Sequence, residues 1–472
     1  MVYYYQYLPA RCSEIRRRLA RLGRGLRHNG TGLEQGDNDA VEVFRIKIGK
    51  KQVALFLIAF VAFGLLLRLY NAYNTVHYFD LDYYVDWSTG VHDGFFNAYD
   101  HVRRLDYPPL YLFPLYLAGF FVKMPGIQSF GPYLMLVLKF FPIIFDTATI
   151  VLIYFVLRRH SRAVGLLCAA IWSVNPAIIF NCANWGQTDS LMIFMLLLCF
   201  YTLENKRPVW AGVLFGLACL TKFQCAYFAP VFLLELLSKN KISKSLASLG
   251  AGAATGLLVF LPFMLQSGWD LPFRVYFGGF GKYAYATFNA ANIYGASGLN
   301  GVLDNTPLVG SFTIQAVSVV FALVILAGTV LAYAKGKNRC PWTVSFLLMQ
   351  SIFMFMTRMH ERYQIPALIF CLIASMRNRR GQLFVVYLLQ SVMVFFNQFF
   401  LFTRVVQGQD TAWFVQYDTI FIVLSVLNVL LYVYSFYVSV KTLLSEPPAA
   451  RAESSTVLPP TESVSLEVSD NA

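Results

Sequence analysis

From residue 52 onward the chain alternates apolar blocks with short polar breaks. The blocks lie near residues 52–70, 109–124, 132–157, 163–180, 190–204, 209–220, 225–238, 245–265, 312–334, 341–356, 364–376, 382–402 and 413–440. Many run to about 16–25 residues, the length a helix needs to cross a hydrocarbon core of about 30 Å. The pattern predicts an all-α polytopic membrane protein.

Thirteen blocks are candidates, and charge decides which of them cross. The N-terminal arm carries Arg16, Arg17, Arg18, Arg21, Arg24, Arg27, Lys50 and Lys51, which predicts a cytoplasmic position. Later basic breaks fall at residues 158–162, 206–207, 239–241, 335–339 and 377–380. If residues 109–124 cross, all of these breaks lie outside. If that block stays at one surface, they all lie inside, together with the C-terminus. At about 1 kcal/mol or less per basic residue, one loop can break the positive-inside rule, but five together do not. Residues 109–124 therefore read as an outer-surface or re-entrant helix, opened by Pro108-Pro109 and closed near Lys123. About 12 transmembrane helices remain, with both termini cytoplasmic.

The expected organisation is a basic arm over 1–51, a transmembrane domain over 52–440, and a disordered cytoplasmic tail over 441–472 rich in Pro, Ser and Glu. Composition agrees: 57% of residues are hydrophobic and 13% charged, against about 25% charged in a soluble domain. The net charge of +13 does not point to nucleic acid, because eleven of the 38 basic residues precede residue 52 and many others sit in the short breaks. The eight cysteines show no C-x-x-C spacing and read as small buried hydrophobes. No cleavable signal peptide is expected ahead of the first block.

In this topology the outer face collects residues 71–131, 181–189, 266–311 and 357–363, and these pieces hold the polar motifs. The first contains Asp80, Asp82, Asp86, Asp93, Asp100 and Asp106. Asp80, Tyr84 and Trp87 share one helical face, continued by Val91, and that face suits a helix lying along the outer membrane surface. Two readings fit. Asp80 is a helix cap with its neighbours merely solvated, or it is a general base facing an embedded cavity. Asn184, Gln187 and Asp189 flank a turn with Trp185 and Gly186; a turn needs polar residues, and a sugar needs amides beside an aromatic ring. Arg358, His360 and Arg362 crowd the outer end of a span, either as interfacial anchors or as a phosphate site. Lys222 and Gln224 occupy another outer turn, where the lysine snorkels or adds a phosphate contact. Tyr285, Asn289, Asn292 and Tyr294 give the long outer loop its polarity or line a sugar site. Lys139 and Asp146, seven apart on one face, read as an intramembrane ion pair.

These residues resemble the GT-C glycosyltransferases, most of all a bacterial branch related to the second mannosyltransferase of GPI-anchor assembly. The resemblance rests on Asp80 seven residues before Trp87, Asp106-Tyr107-Pro108-Pro109-Leu110, Asn184 to Asp189, Lys222-x-Gln224, Asn289-Ala290-x-Asn292 and His360-Glu361-Arg362-Tyr363. It covers residues from about 52 to 400. It implies inverting transfer of a hexose from a polyprenyl-phosphate sugar to a glycan or lipid acceptor, with Asp80 as base, no resident cofactor and no divalent metal. Lys222, Arg358, His360 and Arg362 would hold the donor phosphate. Sugar or acceptor contacts would come from Asp82, Trp87, Asp106, Tyr107, Asn184, Gln187, Asp189, Gln224, Asn289, Asn292 and Glu361. A metal-binding role for the Asp80-x-Asp82 pair is the departure to watch for. Two other functions compete: a transporter or flippase of lipid-linked glycans that couples through Lys139 and Asp146, and a polymerase or ligase that takes a diphosphate-linked donor.

Overall fold

The computed structural model describes residues 48–76, 78–127, 131–278, 283–406 and 418–448. The arm before residue 48 and the tail after residue 448 lie outside the described residues. Helices account for nearly all regular structure. A short antiparallel pair, β1 (Pro307–Val309) and β2 (Phe312–Thr313), is the exception among the described residues.

Among the described residues, six helices are long and apolar enough to cross a bilayer: α1 (Lys50–Asn74), α4 (Pro132–Leu157), α9 (Ile242–Ser267), α11 (Ile314–Lys335), α14 (Gly381–Leu401, prolonged to Arg404) and α15 (Thr419–Leu444). Helix α5 (Arg162–Ser173) and the segment Pro176–Trp185 pass the same test together as one span bent by 47°. Pro176 supplies no N–H and disfavours helix at the residue before it. Asn175 then caps the restart by accepting from the N–H groups of Ala177 and Ile178.

The remaining apolar blocks form shorter helices. These are α6 (Asp189–Glu204), α7 (Pro208–Cys219), α8 (Ala229–Lys239), α12 (Pro341–Phe355) and α13 (Ile365–Arg377), of 11 to 16 residues. At 1.5 Å per residue they reach about 16–24 Å, less than the hydrocarbon core, so the expected twelve crossings are not met by length alone. Burial gives the physical reason. Residues 341–354 of α12 and 365–375 of α13 are buried on every side, and a helix surrounded by protein need not match the bilayer. The long α1 and α11 instead expose Leu55, Ile58, Leu66, Leu323 and Val324.

Small residues let helices meet closely. A Cβ on Gly212 would lie 2.0 Å from the Ser248 carbonyl oxygen, and one on Gly216 2.7 Å from that of Gly252. The crossing of α7 and α9 thus follows the small-xxx-small pattern of membrane helices. Amides join the buried core: Gln350 donates to Gln390 at 2.6 Å, Gln364 donates to Gln350 at 2.6 Å, and Gln390 donates to Asn428 at 3.2 Å.

Two expectations change here. Lys139 and Asp146 do not pair. Seven residues along a helix is two turns, about 10.5 Å, and each finds a nearer partner. Asp146 accepts from Arg68 Nε at 2.6 Å and Trp172 Nε1 at 2.9 Å, whereas Lys139 donates to main-chain carbonyls. The face of helix α2 (Tyr78–Asp93) carrying Tyr84, Trp87 and Val91 does not lie on the membrane surface either. It is buried against Tyr111, Leu112 and Leu115 of helix α3 (Pro109–Val122). The two helices touch backbone to backbone, since a Cβ on Gly119 would fall 2.1 Å from the Ser88 carbonyl oxygen. Helix α3, 14 residues or about 21 Å long, turns Phe113, Leu117, Phe120 and Phe121 outward.

Candidate active site

Helix α2 sets the first wall of the site. Asp80 lies in its first turn, and Asp80 Oδ2 accepts from Trp185 Nε1 at 2.7 Å and from Gln187 Nε2 at 2.6 Å. Both donors come from a π-helical segment, Phe180–Trp185, and the turn that follows it. The wide turn closes when the N–H groups of Gly186 and Gln187 both donate to the Asn181 carbonyl, a local π geometry common at functional sites. Gly186 has φ of 86°, and a Cβ there would meet Lys139 Cγ at 3.0 Å, so glycine is required for both conformation and space. Next to Asp80, Tyr84 and Tyr107 share a hydrogen bond of 3.2 Å, Thr188 reaches the Tyr107 hydroxyl, and Trp87 packs edge-on to Tyr107. Burial, then the adjoining Tyr107, pushes the Tyr84 hydroxyl well above the usual tyrosine range.

The second wall comes from the loop between α12 and α13 and from the turn after α7. Arg358, at φ of 64°, donates from Nε to Asp304 at 2.6 Å. Arg362 Nη1 donates to Glu361 at 2.5 Å, and its guanidinium lies 6.0 Å from the centre of the Trp185 ring. Arg362 Nε is buried without a hydrogen-bond partner among the described residues. Lys222 Nζ donates to Asp189 at 2.5 Å and lies 5.6 Å from the Tyr363 ring centre. The His360 ring is enclosed by Tyr283, Phe288 and Tyr363. Burial, and then the charges of Arg362 and Lys222, hold its imidazolium well below the usual histidine range. His360 thus contributes a neutral ring with one N–H, not a fourth cation beside Lys222, Arg358 and Arg362. Burial also raises the Glu361 carboxyl above its ordinary value, with Arg362 pulling the other way.

The two walls enclose one cavity of about 740 Å³. Of the residues singled out from the sequence, Asp80, Trp87, Asp106, Tyr107, Gln187, Lys222, Gln224, Arg358, His360 and Arg362 line it. Asp189 and Glu361 sit behind it, holding Lys222 and Arg362. The others lie elsewhere. Asp82 is exposed outside the lining, because residues two apart on a helix point to different sides. The same geometry means that Asp80 and Asp82 do not converge as a metal-binding pair. Asn184 donates to Asn71 at 3.2 Å. Asn289 and Asn300 bond reciprocally, each contact at 2.8 Å. Asn292 caps a short turn and donates to the Phe353 carbonyl, and Tyr294 bonds the Phe355 carbonyl. Asn292 thus bonds main-chain groups, while the side chains of Asn184 and Asn289 bond neighbouring asparagines outside the lining. The reading from sequence missed Tyr83, Arg104, Tyr227, Tyr276, Tyr283 and Gln315, which also line the cavity. One local signal was available for Arg104, an arginine beside another arginine in an aspartate-rich segment.

The model of glycosyltransferase family 87 matches residues 107–358, more than half of the chain. GPI mannosyltransferase 1 of Kluyveromyces lactis is 27% identical over 193 residues, which cover 39% of this chain and 43% of that protein. GPI mannosyltransferase 1 of Eremothecium gossypii is 26% identical over 196 residues, 39% of this chain and 44% of that protein. The match spans less than half the length of either relative. The family match begins after Asp80 and stops at Arg358, so Asp80, His360 and Arg362 lie outside it. The extent of the family match and the predominantly helical, apolar architecture lead to one statement of kinship: the chain belongs to glycosyltransferase family 87, as a multi-pass membrane glycosyltransferase of the GT-C type.

Proposed function

We propose that the protein transfers a hexose, mannose or glucose, from a polyprenyl-phosphate donor to a hydroxyl of a glycan or lipid acceptor on the outer face of the membrane, with inversion. One observation carries this reading. A single cavity has a carboxylate held by two N–H donors on one wall and Lys222, Arg358 and Arg362 on the other. Such a transfer needs both at once. The acceptor oxygen bonds to the anomeric carbon as the bond to the phosphate oxygen breaks. Asp80 takes the acceptor's proton, and the cations stabilise the charge that develops on the departing phosphate. Arg362 Nε is a buried donor without a partner among the described residues, and a phosphate oxygen would satisfy it. Neutral His360 would add one N–H.

Mannose is the first sugar to test, because the relatives are named mannosyltransferases. The proposal includes about twelve crossings, with the short buried helices counted as spans and the basic breaks on the cytoplasmic side. It also includes turnover without a divalent metal, since Asp80 and Asp82 face different ways. The test is a transfer assay with purified protein in detergent. Polyprenyl-phosphate mannose, polyprenyl-phosphate glucose and a diphosphate-linked donor are each supplied with and without chelator. Transfer from a monophosphate donor that survives chelation supports the proposal. Use of the diphosphate donor alone would favour a glycan polymerase or ligase.

A further inference from the structure

Lys139 is a fully buried lysine with no place in the reaction as drawn. Its Nζ donates to the Thr75 carbonyl at 2.6 Å, the Asn184 carbonyl at 3.0 Å and the Ala72 carbonyl at 3.5 Å. An ammonium has three N–H donors, and main-chain oxygens take all of them. Ala72 and Thr75 are at the C-terminal end of α1, where the last carbonyls have no partner within the helix. Asn184 is at the end of the π-helical segment. One cation therefore caps two helix ends, the position at which the helix dipole favours positive charge.

Those two ends carry the catalytic contact. Thr75 closes α1 just before the helix that bears Asp80. Asn184 immediately precedes Trp185, Gly186 and Gln187, and Trp185 and Gln187 both donate to Asp80 Oδ2. The lysine stem also supports the turn from beneath, with Cγ 3.0 Å from where a Cβ on Gly186 would stand.

We infer that Lys139 is a positioning residue: its buried ammonium ties the chain leading into Asp80 to the turn carrying Trp185 and Gln187, and so sets the Asp80 carboxylate. The inference rests on the reading of Asp80 as the base. It is independent of the phosphate wall, so its signature is a split between turnover and donor binding.

The experiment compares Lys139→Met, Lys139→Arg and Gln187→Leu, singly and with Lys139→Met combined with Gln187→Leu, in the full-length protein. Lys139→Met is expected to lower kcat about 10- to 100-fold, since small misplacements of a reacting group cost on this scale. Donor KM should stay within about twofold, because Lys139 does not line the cavity. Lys139→Arg, which keeps charge and donors, should recover part of kcat. The double variant should be no slower than the slower single one, because both substitutions disturb the same carboxylate. Unchanged kcat in Lys139→Met, or additive losses accompanied by a parallel rise in donor KM, would overturn the inference. So would failure of both Lys139 variants to fold, which would make Lys139 a folding residue. Asp80→Asn run alongside separates the two ideas. Wild-type transfer by Asp80→Asn defeats the reading of the base; an inactive Asp80→Asn beside a fully active Lys139→Met defeats only the role of Lys139.

Discussion

Single residues in this site are held mostly by charge and by buried hydrogen bonds. Arg362 should matter most for the donor, because it lines the cavity, leans on Glu361 and keeps a buried Nε–H without a partner among the described residues. Arg362→Ala should weaken use of the lipid-phosphate donor about 10- to 150-fold, the range for a desolvated contact with a charged group. Lys244→Ala, an exposed substitution far along the chain, should have no such effect, and donor titrations of the two variants check this. Arg377 would be a poor control despite its basic loop, because it donates to Glu204 at 2.6 Å and its loss would disturb the fold. His360 behaves differently from the arginines. Its imidazolium is held well below the usual histidine range by burial, Arg362 and Lys222, so no protonation step of His360 is expected between pH 6.5 and 8. Donor affinity measured in wild type and in His360→Gln should therefore follow the same pH dependence across that range. A step near pH 6.5 in the wild type alone would contradict this. Asp80, Gln187, Lys222 and Arg362, which the sequence singled out and the fold brings to one cavity, come from stretches where a charge or amide needs a reason. Asn289 and Asn292 stand out just as clearly, yet they lie outside the cavity, bonded to Asn300 and to main-chain groups respectively. Asn289 takes a left-handed conformation with φ of 57°, and Asn292 caps a turn; a lone sequence does not separate those uses from sugar binding.

At the scale of elements, the segment between α1 and α4 is built by the contact of α2 with α3. The apolar face of α2 was legible from its spacing, but its partner was not. A stripe of Tyr84, Trp87 and Val91 is satisfied equally by lipid or by a second helix. Gly119 is the point of closest approach, so Gly119→Val should force the helices apart. Overpacking of this kind costs about 1–3 kcal/mol or more, and it should move Asp80 and Tyr107 relative to each other. The expected result is a lower thermal midpoint together with loss of transfer, whereas Gly250→Val, which meets nothing within 4 Å, should leave both unchanged. The supposed pair of Lys139 and Asp146 failed for a related reason. Spacing within one helix shows which residues share a face, but Arg68 arrives from another helix altogether and takes Asp146 at 2.6 Å. Breaking such a buried pair typically costs about 3–5 kcal/mol, so Arg68→Met should reduce the yield of folded protein far more than it changes donor KM.

For the whole molecule, the arrangement of long helices with exposed apolar faces around short buried ones explains where the cavity lies. Helices α12 and α13 end early, and the loop between them, with Arg358 to Tyr363, fills one wall of the space they leave. The apolar blocks announced the helices, but Tyr276 and Gln315 reach the cavity only through tertiary packing and carry no local signal. The proposed orientation rests on the basic breaks. With Ser311→Cys in the loop between β1 and β2 and Lys244→Cys after α8, an impermeant thiol reagent should label the first from outside and the second only after the membrane is opened. The described native cysteines are buried or partly buried, which keeps the background low. The most direct test of the account remains Asp80→Asn. Asparagine is nearly isosteric and accepts hydrogen bonds from Trp185 and Gln187 through its carbonyl oxygen, so the cavity should persist. It cannot take a proton, a loss that costs about 10²–10⁴-fold in rate. Transfer from polyprenyl-phosphate mannose or glucose should fall by that factor in Asp80→Asn while donor binding stays at the wild-type level; transfer at the wild-type rate would contradict the account.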